Sequence, residues 1–495
     1  MSEIELKFGL TEAAATTVGT TLAARGAETL ALESHYFDTA DRRLACAGVA
    51  LRLRRTGGAW EQTVKAEGAT PVERLEETVT FAPPAGSRTP APDLALHGGS
   101  AAAPLLERTL GDAAQAPLEP VFMTAVRRAA LRIETNGAEL EVALDRGVVR
   151  AGERSLPICE LEVELKGGDV RALIAVGRAS VDAHAVWLST ISKATRGAWL
   201  ADAGAAHAAK SRPPKFAAGA SGSALFRAML ASCLEQVLAN ASVIADGDAD
   251  AEAIHQLRVG LRRLRTLQRE LGVWRGGLGD EWEAPAAALF RTLGMQRDRE
   301  TVAAALQQQL LAAGSPAPEL LGGDAHDVDA VAAVRAPAFQ HALLDLLEFA
   351  LDPGPEPSPT ADAADGGADR FIAGRLDKLH KRARRDAARF DKLDEPARHE
   401  VRKRVKRLRY LAELVAPLYK QGRVKRYLRT LGPAQDALGR FMDLVVATSL
   451  AREVVAGGDP RGWFNVGWLR AQLPDAVDRC GKCLRVVVGA NPFWR

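Results

Sequence analysis

Glu3, Glu5 and Lys7 alternate along the opening segment EIELKF, and Glu160, Glu162 and Glu164 alternate along ELEVELK. Successive residues of a strand face opposite sides, so each trio shares one face. Arg52 and Arg54 do the same in LRLR, with Leu51 and Leu53 opposite. Lys65 shares a face with Thr63, Arg74 pairs with Glu76, and Asp145 ends a further strand. Such rows suit one kind of chemistry. Carboxylates hold Mg²⁺ or Mn²⁺ through oxygen ligands, and Arg and Lys clamp phosphate oxygens. A solvated sheet face would carry the same alternation. The recurrence over several strands, with carboxylates grouped apart from bases, argues instead for an inward face, where charge requires water, ions or counter-charge.

The elements that must position these residues are short strands. SHYFDT, VALRLRR, WEQTVKAE, RLEETVTF, AALRIE, AELEVALD and ICELEVELK are period-2 segments separated by Gly, Pro and Asp. Seven strands of this kind can close into a barrel with a polar lumen. Residues 83–104, rich in Ala, Pro and Gly, are expected to be loop. The pattern turns helical near Gly168.

The ordered set EIELKF, HYFDT, LRLR, WEQTVK, RLEE, ELEVELK and SKATRG resembles the CYTH family, the triphosphate tunnel metalloenzymes, over residues 1–205. The resemblance implies an antiparallel β-tunnel in which two divalent ions and a basic row hold a triphosphate chain. It implies Glu3, Glu5, Asp145, Glu160, Glu162 and Glu164 as metal-side carboxylates. It implies Lys7, Lys65 and Lys193 as catalytic lysines, and Arg52, Arg54, Arg74, Arg128 and Arg196 as triphosphate contacts. Parity alone does not separate Arg128 from its neighbour Arg127. The implied chemistry is metal-assisted hydrolysis of a phosphoanhydride.

Residues 206–222, small and polar with two prolines, form a linker. Beyond them the pattern is helical, broken by a Pro/Gly/Asp-rich stretch at 351–369. The two halves, about 223–350 and 370–495, repeat. HQLRVGLRRLRTL begins at His255 and HEVRKRVKRLRYL at His399, and LGMQRD (293–298) resembles LGPAQD (431–436). Internal duplication of helical hairpins accounts for this. At 3.6 residues per turn, His255, Arg258, Arg262 and Arg265 make one stripe, and Leu257, Leu261, Leu264 and Leu267 make the core stripe. His399, Arg402, Lys406 and Arg409 repeat the basic stripe. Like charges a turn apart repel, and a polyanion lying in one groove lined by both stripes would relieve this. Residues 370–430 hold 21 basic and 7 acidic side chains, although the whole chain is only +3.

The helical half, about 220–495, resembles the CHAD domain, and its ending NPFWR looks familial. The resemblance implies binding of inorganic polyphosphate. Aromatic stacking platforms are few, which disfavours single-stranded nucleic acid, and no P-loop or dinucleotide fingerprint occurs. No uninterrupted apolar run reaches membrane-spanning length, and a terminus charged from Glu3 onward excludes a signal peptide. Five scattered cysteines make no disulfide framework, and the Cys480/Cys483 pair is ordinary packing. The expectation is a multidomain α+β chain in the cytoplasm or at polyphosphate granules, with an N-terminal antiparallel β-barrel (tunnel) followed by an all-α domain of two repeated helical bundles. Its expected activity is hydrolysis of inorganic triphosphate. The alternatives are a non-catalytic polyphosphate-binding protein and a nucleotide-using tunnel (adenylate cyclase or thiamine triphosphatase).

Overall fold

The alternating segments form the strands β1 (Ser2–Gly9), β2 (Glu28–Asp38), β3 (Val49–Thr56), β4 (Ala59–Glu67), β5 (Glu73–Phe81), β6 (Glu119–Thr135), β7 (Ala138–Ala151) and β8 (Arg154–Gly167), with a short β9 (Trp187–Leu188). This is a computed structural model that describes residues 2–56, 59–68, 70–82, 89–112, 116–204, 207–320, 329–352 and 367–495. All pairings are antiparallel, in the order β5-β4-β3-β2-β6-β7-β8-β1, and β1 meets β5 to close the barrel. Eight strands close where seven were expected, because the opening EIELKF segment is itself a wall. The closing seam is short: Ser2, Glu3 and Ile4 lie opposite Leu75, Arg74 and Glu73, and beyond it Glu5 N donates to Val72 O at 3.1 Å.

The apolar parity faces outward and is covered. Leu51, Leu53 and Val64 pack beneath Ala102, Leu106 and Leu110. Ala102 lies in the segment expected to be loop, and the helix that carries Leu106 and Leu110 starts at the end of that segment. A 3₁₀ turn (Leu94–His97), capped by the Asp93 carboxylate accepting from Ala95 N at 2.9 Å, leads toward a helix over Ala103–Leu110. Gln62 grips Asp93 through two hydrogen bonds of 2.7 and 2.8 Å. An Ala/Pro/Gly-rich composition reads as loop, but the outward Leu row needs a lid, and tertiary burial decides. Residues 83–88 of the expected loop lie outside the described residues.

The helices are α1 (Glu12–Ala24), α2 (Arg43–Cys46), α3 (Ala103–Leu110), α4 (Val170–His184), α5 (Lys193–Ala201), α6 (Gly222–Ala245), α7 (Ala251–Leu271), α8 (Glu283–Ala312), α9 (Ala330–Arg335), α10 (Pro337–Leu351), α11 (Gly367–Ala387), α12 (Glu395–Val415), α13 (Gln421–Ala456), α14 (Gly462–Ala471) and α15 (Leu473–Gly489). From Gly222 on, the described chain contains only helices and connections. α6 is long and apolar enough to cross a membrane by length and composition, against the expectation that no segment is. However, 78% of its most apolar window is buried inside the fold, as a central core helix. Cys480 is buried in the same core. The ending NPFWR is a latch: Trp494 Nε1 donates to Asp377 at 2.8 Å, Arg495 pairs with the same carboxylate at 2.8 Å, and Phe493 and Trp494 stack edge-on against Tyr427. Most of the 351–369 break lies outside the described residues.

One continuous apolar core joins the two halves. Leu6, Phe8, Leu173 and Ile174 belong to it together with Leu225, Phe226, Leu343 and Leu344. α4 lies on α10, where Arg178 pairs with Asp345 at 2.6 Å and Glu348 at 2.7 Å. Gly177 makes the approach possible, since a Cβ there would stand 2.9 Å from Leu6 and 3.3 Å from Leu344. The joining segment, described from residue 207, has no helix or strand but is not loose. Ala209 exchanges two hydrogen bonds with Asn240, at 3.0 and 2.9 Å. Arg212 pairs with Glu67 of β4 at 2.6 Å and Glu235 of α6 at 2.8 Å.

Candidate functional site: a charged tunnel

Strand register explains how the charged rows meet. Lys7 stands opposite Glu162, Asp145 opposite Glu160 and Arg128 opposite Asp145. Cross-strand neighbours on one face lie close enough for direct contact. Arg128 donates to both oxygens of Asp145 at 2.7 Å and also pairs with Glu162. Arg127, opposite Arg146, is exposed. Parity could not choose between the two arginines, and the register does.

Lys193 comes from α5, whose N-terminal residue it is, behind the Ser192 cap. Its ammonium reaches Asp145 at 2.7 Å, Glu162 at 2.9 Å and Glu160. Lys7 lies 3.3 Å from Glu162 and 3.8 Å from Glu160. α5 seats closely on β6 because Gly197 lies against Phe122; a Cβ there would be 2.1 Å from the ring. These groups are buried, with Asp145 at 0%, Glu160 at 2%, Lys7 at 8% and Glu162 at 9% exposure. Burial opposes ionisation of Glu162, but Lys193, Arg128 and Lys7 outweigh it and hold the carboxyl well below its usual range. Burial likewise opposes the charge on Lys193, and Glu160, Glu162 and Asp145 raise its pKa well above the ordinary ammonium value. Three carboxylates thus face three cations.

A second acidic group stands on the same lumen. Glu5 faces Glu164 and Glu141 faces Glu164 in register. Lys65 pairs with Glu76, its cross-strand neighbour. Arg52 reaches Thr63 at 3.0 Å and Glu76 at 3.4 Å. Arg74 lies 4.0 Å from Glu5. Arg54 donates to Ser34 at 3.1 Å; burial, with the Arg52 and Arg128 charges, pulls its guanidinium down to about 10. Together Glu3, Glu5, Lys7, Arg52, Arg54, Lys65, Arg74, Arg128, Glu162, Glu164 and Lys193 line one cavity of about 590 Å³.

Sequence reasoning left Glu76 and Glu141 out of the site, although both share parity with chosen residues, Arg74 and Asp145. It also left out Lys166, which shares the parity of Glu160, Glu162 and Glu164. The structure brings Lys166 to the cavity and to Glu164 at 2.6 Å. The β7–β8 pairing skips Lys166 where the register shifts beside Glu139. Arg196 is not brought to the cavity wall; it pairs with Asp246, at the C-terminal end of α6, at 2.7 Å. For a metal ion, the donor set fits. Oxygens of Asp145, Glu160 and Glu162 all lie within 4.8 Å of one another, and hard carboxylate oxygens suit a hard divalent cation.

In the helical half, Leu257, Leu261, Leu264 and Leu267 are buried as the spacing predicts. The basic stripe is less open than expected. Arg258 is buried at 5% exposure, and the Arg258 and Arg262 guanidiniums lie over the Phe290 ring at 5.1 and 4.8 Å. His255 and Arg265 are exposed. Arg402 and Lys406 are half-buried, as is His399, whose pKa is lowered by burial and by the Lys403 and Arg402 charges. Arg409 is held by Glu413 and Gln435, each at 2.6 Å. The stripe of α7 thus turns toward α8, and Arg409 of the second stripe toward α13. LGMQRD lies partly among residues whose side chains are not described. Sequence reasoning missed Arg263 as a structural residue: it is buried and donates to Gln236 at 2.9 Å and Ser232 at 3.2 Å.

Comparison with known families divides the chain where the architecture changes. Residues 1–198 match the CYTH domain model and residues 228–452 the CHAD domain model. The chain is a CYTH domain joined to a CHAD domain. It is 29% identical over 170 residues to an inorganic triphosphatase of Haemophilus influenzae, an alignment covering 34% of this chain and 46% of the relative. The chain therefore aligns with about half the length of that relative. It is also similar to the crystal structure of a CHAD domain from Ricinus communis (26% identity, TM-score 0.43, 57% of this chain and 96% of the other). A weaker similarity is to a candidate adenylyl cyclase from Hippeastrum, described as having a dominant triphosphatase activity (17% identity, TM-score 0.29, 41% and 96%).

Proposed function

We propose that the CYTH tunnel hydrolyses inorganic triphosphate and that the CHAD domain engages inorganic polyphosphate in the cytoplasm or at polyphosphate granules. The observation that carries the first part is the lumen itself, a cavity of about 590 Å³ with a carboxylate group on one set of strands and Arg52, Arg54, Lys65 and Arg74 on another. Arg54 is a cation buried next to other cations, an arrangement that an anion relieves. The basic row grips the phosphate chain and stabilises charge gathering on the transferred phosphoryl group. Lys193, on a flexible stem, trades a carboxylate contact for a phosphate oxygen. Asp145, Glu160 and Glu162 would hold Mg²⁺ or Mn²⁺, with Glu3, Glu5 and Glu164 as the second group; a bound ion supplies charge neutralisation on the phosphate oxygens. A tunnel carboxylate accepts the proton of the attacking water.

A second reading has one observation in its favour. Tyr36, Phe122, Trp199 and His207 line the same cavity, and Tyr36 stacks on Phe122 at 4.4 Å. Such rings suit the organic end of a nucleotide or thiamine triphosphate. The test is phosphate release from tripolyphosphate, ATP, thiamine triphosphate and long-chain polyphosphate, each with Mg²⁺ or Mn²⁺. The first reading expects tripolyphosphate to be turned over fastest; preference for an organic triphosphate overturns it.

A further inference from the structure

The loop and helix that deliver Lys193 to the tunnel are held by the helical domain. Within the barrel, β9 pairs Leu188 with Phe8 and Trp187 with Gly9, and Ser189 N donates to Lys7 O at 2.8 Å. The other contacts cross the domain boundary. Leu188 N donates to Gln340 Oε1 of α10 at 2.8 Å. Thr190 N donates to Ser242 Oγ of α6 at 2.9 Å. The Trp187 ring lies under the Arg335 guanidinium, 3.6 Å from its centroid. Arg196 pairs with Asp246 at 2.7 Å, and Trp187 Nε1 reaches the same carboxylate at 3.5 Å.

Lys193 and Arg196 are three residues apart on α5, so they share one side of the helix. Fixing Arg196 fixes the rotation of that helix about its axis and the direction in which Lys193 leaves it. The Nε of Arg196 is buried and has no hydrogen-bond partner, so the Asp246 contact is the main polar anchor of this guanidinium. The clamp also touches the basic row, since Arg74 donates to Thr190 O at 3.5 Å. Leu238 of α6 and Leu347 of α10 line a small recess with Glu5, Lys7 and Arg74.

We infer that Asp246 of the CHAD domain is a positioning residue for the CYTH tunnel: by holding Arg196 it orients α5 and so places Lys193 among Asp145, Glu160 and Glu162. Arg196 is then a strut between domains, in place of the phosphate contact that its motif implies. The inference rests on the triphosphatase reading. Misplacing a reacting group by a fraction of an ångström lowers turnover more than binding.

The test is steady-state hydrolysis of tripolyphosphate by the full chain with Mg²⁺, with thermal melting to confirm folding. Asp246→Asn keeps the shape and removes the charge. Expected is a fall in kcat of about tenfold with KM changed less than twofold, and recovery of most of the rate in Asp246→Glu. Arg196→Ala should match Asp246→Asn, and the double variant should be no worse than either alone. Additive losses, or a rise in KM alone for Arg196→Ala, overturn the strut. If Asp246→Asn does not fold, Ser242→Ala carries the same test, with a loss of about threefold in kcat. A wild-type chain that releases no phosphate overturns the triphosphatase reading and this inference with it. An active wild type beside an equally active Asp246→Asn overturns the positioning role alone.

Discussion

Glu3 and Glu76 meet on the tunnel wall, and the carboxyl of each acts on the ionisation of the other. Two carboxylates placed so disfavour each other's charge, and one of them holds its proton to a higher pH. Burial, then the bond to Glu76 and its charge, push Glu3 up to about 7. Burial also opposes ionisation of Glu76, but Lys65 and Arg52 outweigh it and hold that group at about 2. The basic row thus decides which of the two keeps the proton.

This relationship predicts a pH dependence for the metal-free chain. Glu3 has a folded value above its ordinary 4.5, so the folded state binds the extra proton. Its contribution to stability is fully present below about 4.5 and is lost as pH rises through about 7. Urea midpoints of wild type and Glu3→Gln, measured in chelator, should diverge across this window, because only the wild type acquires a buried charge as pH rises. A pH-independent difference between the two would show that the Glu3 carboxyl is not raised by its surroundings.

Glu162 touches Lys7, Arg128 and Lys193. Glu162→Gln leaves three cations facing two carboxylates and takes away a metal-side ligand. Triphosphatase activity should fall by about 100-fold. The uncompensated charge should cost about 3 kcal/mol of stability. Phosphate release and thermal melting measure both; wild-type turnover at saturating Mg²⁺ excludes Glu162 from the site.

The two halves share one core, so the full chain should unfold as a unit. A single calorimetric transition is expected, in contrast to the independent folding that a linker composition suggests. Residues 1–205 alone would expose Leu6, Phe8 and the α4 face that packs on α10, and should be prone to aggregation. Two well-separated transitions in the full chain would show that the core is not cooperative.

On the proposed polyphosphate reading, affinity should fall steeply with salt. Arg262, Arg265, Arg402 and Lys406 replaced together by Ala should weaken long-chain polyphosphate binding by at least tenfold at low salt, by analogy with other polyanion sites. Arg258 is left out because it is buried, and its loss would also disturb packing. The control replaces Lys425, Arg426, Arg429 and Arg452, which are exposed. Equal weakening in the two variants, titrated at two salt concentrations, would mean diffuse attraction without a dedicated surface.

Parity made the tunnel legible. Glu3, Glu5, Lys7, Arg52, Arg54, Lys65, Arg74, Glu162 and Glu164 all face one lumen because side-chain direction in a strand is a local, period-2 property. Glu76 and Glu141 obey the same rule and could have been found by applying it to every strand. Arg128 could not be told from Arg127, because the choice depends on which strand β6 pairs with and in what register. The start of the cover, residues 94–104, was hidden because its composition is that of a loop, and only the outward Leu51 and Leu53 row gives it work. The pairing of Arg196 with Asp246 leaves no periodic trace at all: it follows from how two separately patterned units dock. The CHAD stripes were half legible, since helical spacing gives the side of α7 on which Arg258 lies but not that Phe290 and Gly294 come to meet it.

The barrel closes on three register pairs between β1 and β5, while β6, β7 and β8 run 13 pairs along each of their ladders. A ring opens at its weakest rung, so slow amide exchange should be lost first along the N-terminal strand. That strand carries Glu3, opposite Arg74 in the seam itself. Anything that binds on both sides of the seam acts as a fastener, and occupancy of the tunnel becomes readable as hydrogen-exchange protection at the very start of the chain. The first few residues then serve as the zip of the barrel, and tethering or tagging them would be felt at the centre of the tunnel.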